Sequence, residues 1–84
     1  MKCFLSKTVT LPTIESMATG TITIQNWEYI RIPQFIQFLD FTYGNVVLVS
    51  NVSLSGTTLT ITIFNPTSKA HGTHDITMLY SVKE

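Results

Sequence analysis

Between Gly56 and Pro66 the chain alternates Thr with aliphatic residues for a full strand length and then stops at Asn65-Pro66. A period of two places Leu59, Ile61 and Ile63 on one face and Thr58, Thr60 and Thr62 on the other. The first face is apolar enough for a core, and the second is hydroxylated without charge. The same alternation recurs over Lys7–Leu11, with Val9 and Leu11 inward, Thr8 and Thr10 outward, and Pro12 closing the strand. It recurs again over Thr21–Ile24, before the turn-forming pair Gln25-Asn26. Trp27–Ile32 reads as a third strand carrying Tyr29, Ile30 and Ile32.

The continuous apolar run Val46–Val49, with Ser50, predicts a fully buried central strand. Val52 and Leu54, alternating with Asn51, Ser53 and Ser55, extend it. Ser55-Gly56 is a turn signal, so this strand and the Thr strand form the strongest hairpin in the chain. Ile76–Val82 is a last strand with Ile76, Met78, Tyr80 and Val82 on one face. Residues 13–20 and 65–75 read as connections. Pro33–Phe41 fits two patterns. Pro33 suits a first helical position, and Phe35, Phe38 and Leu39 share a helical face. Yet Phe35, Leu39 and Phe41 also fit a strand face, and the strand-rich flanks favour an extended aromatic segment or a single helical turn. Six or seven strands with turn signals between them predict an all-β fold, a small antiparallel β-sandwich or barrel. Its expected core is Val47, Val49, Leu59, Ile61, Ile63, Met78 and Tyr80.

Length and charge bear on how such a sandwich is stabilised. Eighty-four residues make one domain, read as 7–84 behind an apolar N-terminal arm, 1–6, able to dock on a neighbour. The core of so short a chain is small, and the usual aids are a disulfide, a metal or oligomerisation. Cys3 is the single cysteine, which excludes an intrachain disulfide. Only 12% of residues are charged and the formal net charge is zero, against about 25% charged in an ordinary soluble domain. Neutral chains tend to associate, and a homo-oligomer is the expected state. Lys2, Lys7, Arg31, Lys69 and Lys83 are scattered, which argues against nucleic acid as a partner. No run approaches the ~18 apolar residues of a membrane-spanning helix. Met1–Ser6 begins like a signal peptide, but Lys7 ends its apolar run early, so the expected product is made in a cytoplasm.

Candidate chemistry is sparse. His71-Gly72-Thr73-His74 is the one ligand-like pair, with Asp75 beside it, and Cys3 is the remaining thiol. That set falls short of a zinc site within one chain, although copies meeting at a symmetry axis would add ligands. The serines lack a nucleophile-elbow context. Glu15, Glu28, Asp40, Asp75 and Glu84 show no evident acid–base pair. We therefore expect no catalytic residue, no metal and no cofactor. Trp27, Tyr29, Tyr43 and Tyr80 are rings able to stack on sugars, and equally able to pack a core. Asn51-Val52-Ser53 matches a glycosylation sequon without a secretion signal to give it effect.

From Asn45 to Thr67 the order of residues, a Val/Leu strand, Ser55-Gly56, the Thr/Ile strand and Asn65-Pro66-Thr67, resembles the last hairpin of small phage virion modules. Capsid decoration proteins, fibre knobs and tail-tip domains are among them. Val9-Thr10-Leu11-Pro12 resembles their entry strand. A similar hairpin occurs in H-type lectin-like sandwiches, but no sugar-binding motif is recognisable here. The resemblance implies a non-catalytic structural protein of a bacteriophage particle, located in the virion and assembled in the host cytoplasm. It further implies a homo-oligomer, a trimer foremost, bound to a major capsid or tail protein. The alternative is a small glycan-binding, lectin-like knob, which requires at least one aromatic ring open to water.

Overall fold

The computed structural model describes residues 4–40 and 47–82. Six strands follow one another: β1 Leu5–Leu11, β2 Thr19–Ile24, β3 Phe35–Leu39, β4 Leu48–Ser55, β5 Thr58–Phe64 and β6 His74–Ser81. They form two three-stranded antiparallel sheets, β1-β6-β3 and β2-β5-β4, with no helix among the described residues. The expected small β-sandwich is thus what the chain forms. Alternation explains which side of each strand turns inward. Val9 and Leu11 of β1, Phe38 of β3 and Ile76, Met78 and Tyr80 of β6 face Ile22 and Ile24 of β2 and Leu59, Ile61 and Ile63 of β5. Ile14 and Trp27 close the core from the connections. The two central strands, β5 and β6, supply the most deeply buried side chains because each has a neighbour on both sides.

The β4–β5 hairpin turns through two residues, Gly56 and Thr57. Gly56 sits at φ 60°, and Thr57 keeps a negative φ, the arrangement of a type II′ turn with glycine at its first central position. Asn65 then organises the loop that follows β5. It is fully buried. Its amide nitrogen donates to the carbonyls of Lys69 at 2.8 Å, Ile14 at 3.2 Å and Glu15 at 3.3 Å. Its carbonyl oxygen accepts from the Thr67 N–H at 2.9 Å and the Thr67 hydroxyl at 2.6 Å. The residue that ends the alternating strand therefore ties the 65–73 loop to the β1–β2 connection. A two-way backbone bridge between Ile14 and His71, both bonds 2.9 Å, completes that tie.

Several expectations need correction. The apolar run Val46–Ser50 is not a buried central strand: β4 lies at a sheet edge, with Leu48 55% and Val49 37% exposed. A bulge at Ser50, between Val49 and Asn51, interrupts the alternation there, and an edge strand has one neighbour to bury it. Val47 is half-buried against the core, while Val46 lies outside the described residues. Trp27–Ile32 is no strand. The Trp27 backbone N–H donates to the Thr57 carbonyl at 2.7 Å, and its indole N–H donates to the Arg31 carbonyl at 2.9 Å. Those bonds curl the segment over one end of the sandwich and leave Ile30 92% exposed. Within this segment Phe35–Leu39 is extended, as its flanks suggested, but Ile36 and Phe38 face inward in place of Phe35 and Leu39. Phe41 lies outside the described residues. Strand β1 begins at Leu5, so Leu5 and Ser6 of the expected arm pair with Tyr80 and Leu79. Met1–Cys3 lie outside the described residues.

Candidate interaction face

The sheet β2-β5-β4 presents to the outside a face built of rows across the three strands. Cross-strand partners share a face, so the register fixes each row. Thr23, Thr60 and Ser53 form one row and Thr21, Thr62 and Asn51 the next. Thr58 and Ser55 flank them toward the turn, and Thr19, Phe64 and Leu48 form the apolar end. Rows stand ~6.6 Å apart along a strand and columns ~4.8 Å apart across it. No residue of these three strands is charged. Beyond the Phe64 and Leu48 end, its side chains offer methyls, hydroxyls and one amide, which desolvate cheaply where a partner supplies hydrogen bonds. The β2 column is exposed and the central β5 column is half-buried by its neighbours.

The opposite outer face is also uncharged in its middle rows and differs at its ends. Its β1, β6 and β3 residues include Thr8, Thr77 and Leu39 in one row and Ser6, Leu79 and Gln37 in the next. Thr10 donates its hydroxyl to Asp75 at 2.8 Å at one end. At the other end the rings of Phe4 and Phe35 meet edge-on, centroids 5.4 Å apart, across the position of Ser81, which is buried.

The histidines are placed structurally. His71 is buried at the bridge to Ile14. His74 opens β6, and its Nε2 lies 2.7 Å from a carboxylate oxygen of the buried Asp40, at the end of β3. Its Nδ1 lies 2.8 Å from the Gly72 carbonyl. Both partners are acceptors, so both ring nitrogens must donate, and the geometry calls for the imidazolium form. Partial burial pulls the His74 pKa down, but the Gly72 carbonyl, the Asp40 carboxylate and, through charge alone, Asp75 outweigh it; the net direction is upward from 6.5. With both nitrogens engaged, His74 as arranged presents no lone pair to a metal. No group of three or more His, Cys, Asp or Glu side chains gathers among the described residues. Thirty-four residues separate Asp40 from His74, and no spacing rule in the sequence links them.

Of the rings able to stack on a sugar, Trp27 and Tyr80 are drawn inward, while Phe4 and Phe35 are exposed elsewhere on the surface. The Trp27 ring packs against Tyr29 at 5.2 Å and Tyr80 at 5.4 Å between centroids. Trp27 and Tyr80 are buried, and Tyr29 is half-buried. Burial, with Tyr29 and Glu28 nearby, pushes the Tyr80 phenol above its ordinary pKa. Tyr43 and Cys3 lie outside the described residues. Of the remaining carboxylates, Glu15, Glu28 and Asp75 are exposed. No family model, no curated protein and no solved structure matches the chain.

Proposed function

We propose that this chain is a non-catalytic assembly module. It forms a homo-oligomer and joins a larger protein lattice, with a bacteriophage particle as the setting that the hairpin resemblance suggests. The observation that carries the reading is the outer face of β2-β5-β4: three registered columns of Thr, Ser and Asn on a sheet without one charged side chain. A solvated face ordinarily carries Lys and Glu, which keep it wet and keep copies apart. This face lacks both, and the chain as a whole is neutral. Of the rings named for the lectin-like alternative, Trp27 and Tyr80 are packed in the interior, Tyr29 is half-buried and Tyr43 lies outside the described residues, so the uncharged face supports the assembly reading better than these rings support a sugar site. The test is a charge at the centre of the face. Thr60→Lys leaves the circular dichroism and melting temperature near those of the parent and abolishes assembly. If Thr60→Lys assembles as the parent does, the interface lies elsewhere on the molecule.

A further inference from the structure

Two three-stranded sheets have four edge strands among the described residues, and three of them carry a device that discourages pairing. Strand β1 points Lys7 inward beside the core. Strand β4 is broken by the bulge at Ser50, and β3 is only five residues long. Inward charges, bulges and short length are the usual guards against edge-to-edge contact. Strand β2, Thr19-Gly20-Thr21-Ile22-Thr23-Ile24, has none of these: it is uncharged and its register with β5 runs without a shift. A groove of about 320 Å³ lies open beside it, lined by Lys7 and Val9 of β1 and by Ile22 and Ile24 of β2.

The direction of the β2 backbone groups follows from the hydrogen bonds around it. Antiparallel partners alternate between bonded and non-bonded pairs. Just beyond the Thr19–Phe64 pair, the Asn65 N–H donates to the Ala18 carbonyl at 3.0 Å. Counting on from there, Gly20, Ile22 and Ile24 are bonded to β5, and Thr19, Thr21 and Thr23 are not. Two further features agree. The Ser50 hydroxyl reaches the Thr62 carbonyl at 3.2 Å, so the Thr62 backbone faces β4 and not its β2 partner Thr21. The two-residue turn makes Ser55–Thr58 a bonded pair, which turns Thr58 toward β4 and its neighbour Leu59 toward Ile24. The N–H and C=O groups of Thr19, Thr21 and Thr23 thus face away from β5, along the open edge.

We infer that β2 is the edge through which two copies of this chain pair, antiparallel, about a two-fold axis at Thr21. This pairing rests on the self-association proposed above and specifies its geometry. Thr21 bonds to the partner's Thr21, and Thr19 and Thr23 bond to the partner's Thr23 and Thr19, giving about six backbone hydrogen bonds. A second copy is the fitting occupant because the strand itself carries no charge to repel its mate; Lys7 of β1, in the adjacent groove, is a cation the contact has to leave in water. Sizes also match on the inner side, where Ile22 falls opposite the partner's Gly20 and Ile24 opposite the partner's Ala18. The product is a continuous six-stranded sheet, β4-β5-β2 and its symmetry mate, whose outer hydroxyl face is twice as wide as that of one copy. Such a contact is isologous and closes at two subunits. It therefore gives a dimer as the unit, where the resemblance pointed to a trimer.

The test is Thr21→Pro. Its N–H faces the open edge, so proline there removes no bond to β5 and is compatible with an edge strand. We expect the parent to show twice the monomer mass by light scattering and Thr21→Pro to show the monomer mass with an unchanged circular dichroism spectrum. Amide hydrogen exchange on the parent gives an independent readout. The Thr19, Thr21 and Thr23 amides are expected to be protected at high concentration and to exchange at least tenfold faster on dilution to monomer. A parent that dimerises while those three amides exchange freely overturns the β2 pairing, as does a Thr21→Pro variant that is folded and still dimeric. In both cases the assembly reading survives. A trimer whose mass is indifferent to Thr21→Pro overturns the pairing likewise. A parent that stays monomeric at all concentrations overturns the pairing and the assembly reading together.

Discussion

At the residue scale, Asn65 and His74 hold together parts of the chain that are far apart in sequence. Asn65 satisfies backbone groups of Ile14, Glu15, Thr67 and Lys69 from a fully buried position. Asn65→Ala removes that amide: the Ile14, Glu15 and Lys69 carbonyls each keep one other donor, but the Thr67 N–H loses its acceptor and three ties across the loop are lost. It is expected to lower stability by about 2 kcal/mol or more, measured by denaturant unfolding. Asn65→Asp is a useful companion, since it keeps the acceptor for Thr67 and loses the donor. His74 makes stability depend on pH. Its folded pKa is raised, so its contribution is fully present below the unfolded value near 6.5 and fades as pH rises through the higher folded value. Among the described residues, Asp40 and Asp75 are charged groups that act on it. Melting temperature is therefore expected to fall as pH is raised above about 6.5, as the charge of His74 beside Asp40 is lost. His74→Gln should flatten that dependence. An unchanged profile in the variant would show that another group carries it.

At the element scale, the β4–β5 hairpin was legible because two independent signals agree: strict alternation in β5, and glycine at the turn. Ile61 is fully buried on the inner face of β5, between Ile22 and Val52. Ile61→Ala is expected to cost about 2–5 kcal/mol, seen as a large drop in melting temperature or outright unfolding. Gly56→Ala should cost about 1 kcal/mol, because a φ of 60° is strained for alanine even though nothing crowds a Cβ there. The misreadings have physical causes too. A run such as Val46–Val49 is apolar whether it is covered from both sides or only partly covered at an edge, and periodicity cannot separate the two. Trp27–Ile32 has the composition of a strand, but Trp27 is used as a plug that spends its hydrogen bonds on Thr57 and Arg31. In β3 the apolar residues fall on both faces, so alternation could not say which of Phe35 or Phe38 is inward. The Thr face could be read from sequence, whereas the rows that make it a continuous surface depend on register. The Asp40–His74 pair depends on β3 lying beside β6, which local pattern does not encode.

At the scale of the whole molecule, the sandwich divides its chemistry unevenly. The sheet β1-β6-β3 carries Lys7, His74 and Asp75, with Asp40 at its rim. The sheet β2-β5-β4 carries no charge at all. The proposed association would add stability to a core this small. The central claim is that the neutral sheet exists to be covered. The most direct measurement is the mass of the purified parent protein by light scattering across a hundredfold range of concentration. The account predicts a homo-oligomer that persists through most of that range and dissociates only on strong dilution. A well-folded monomer of 9.4 kDa at every concentration would contradict it.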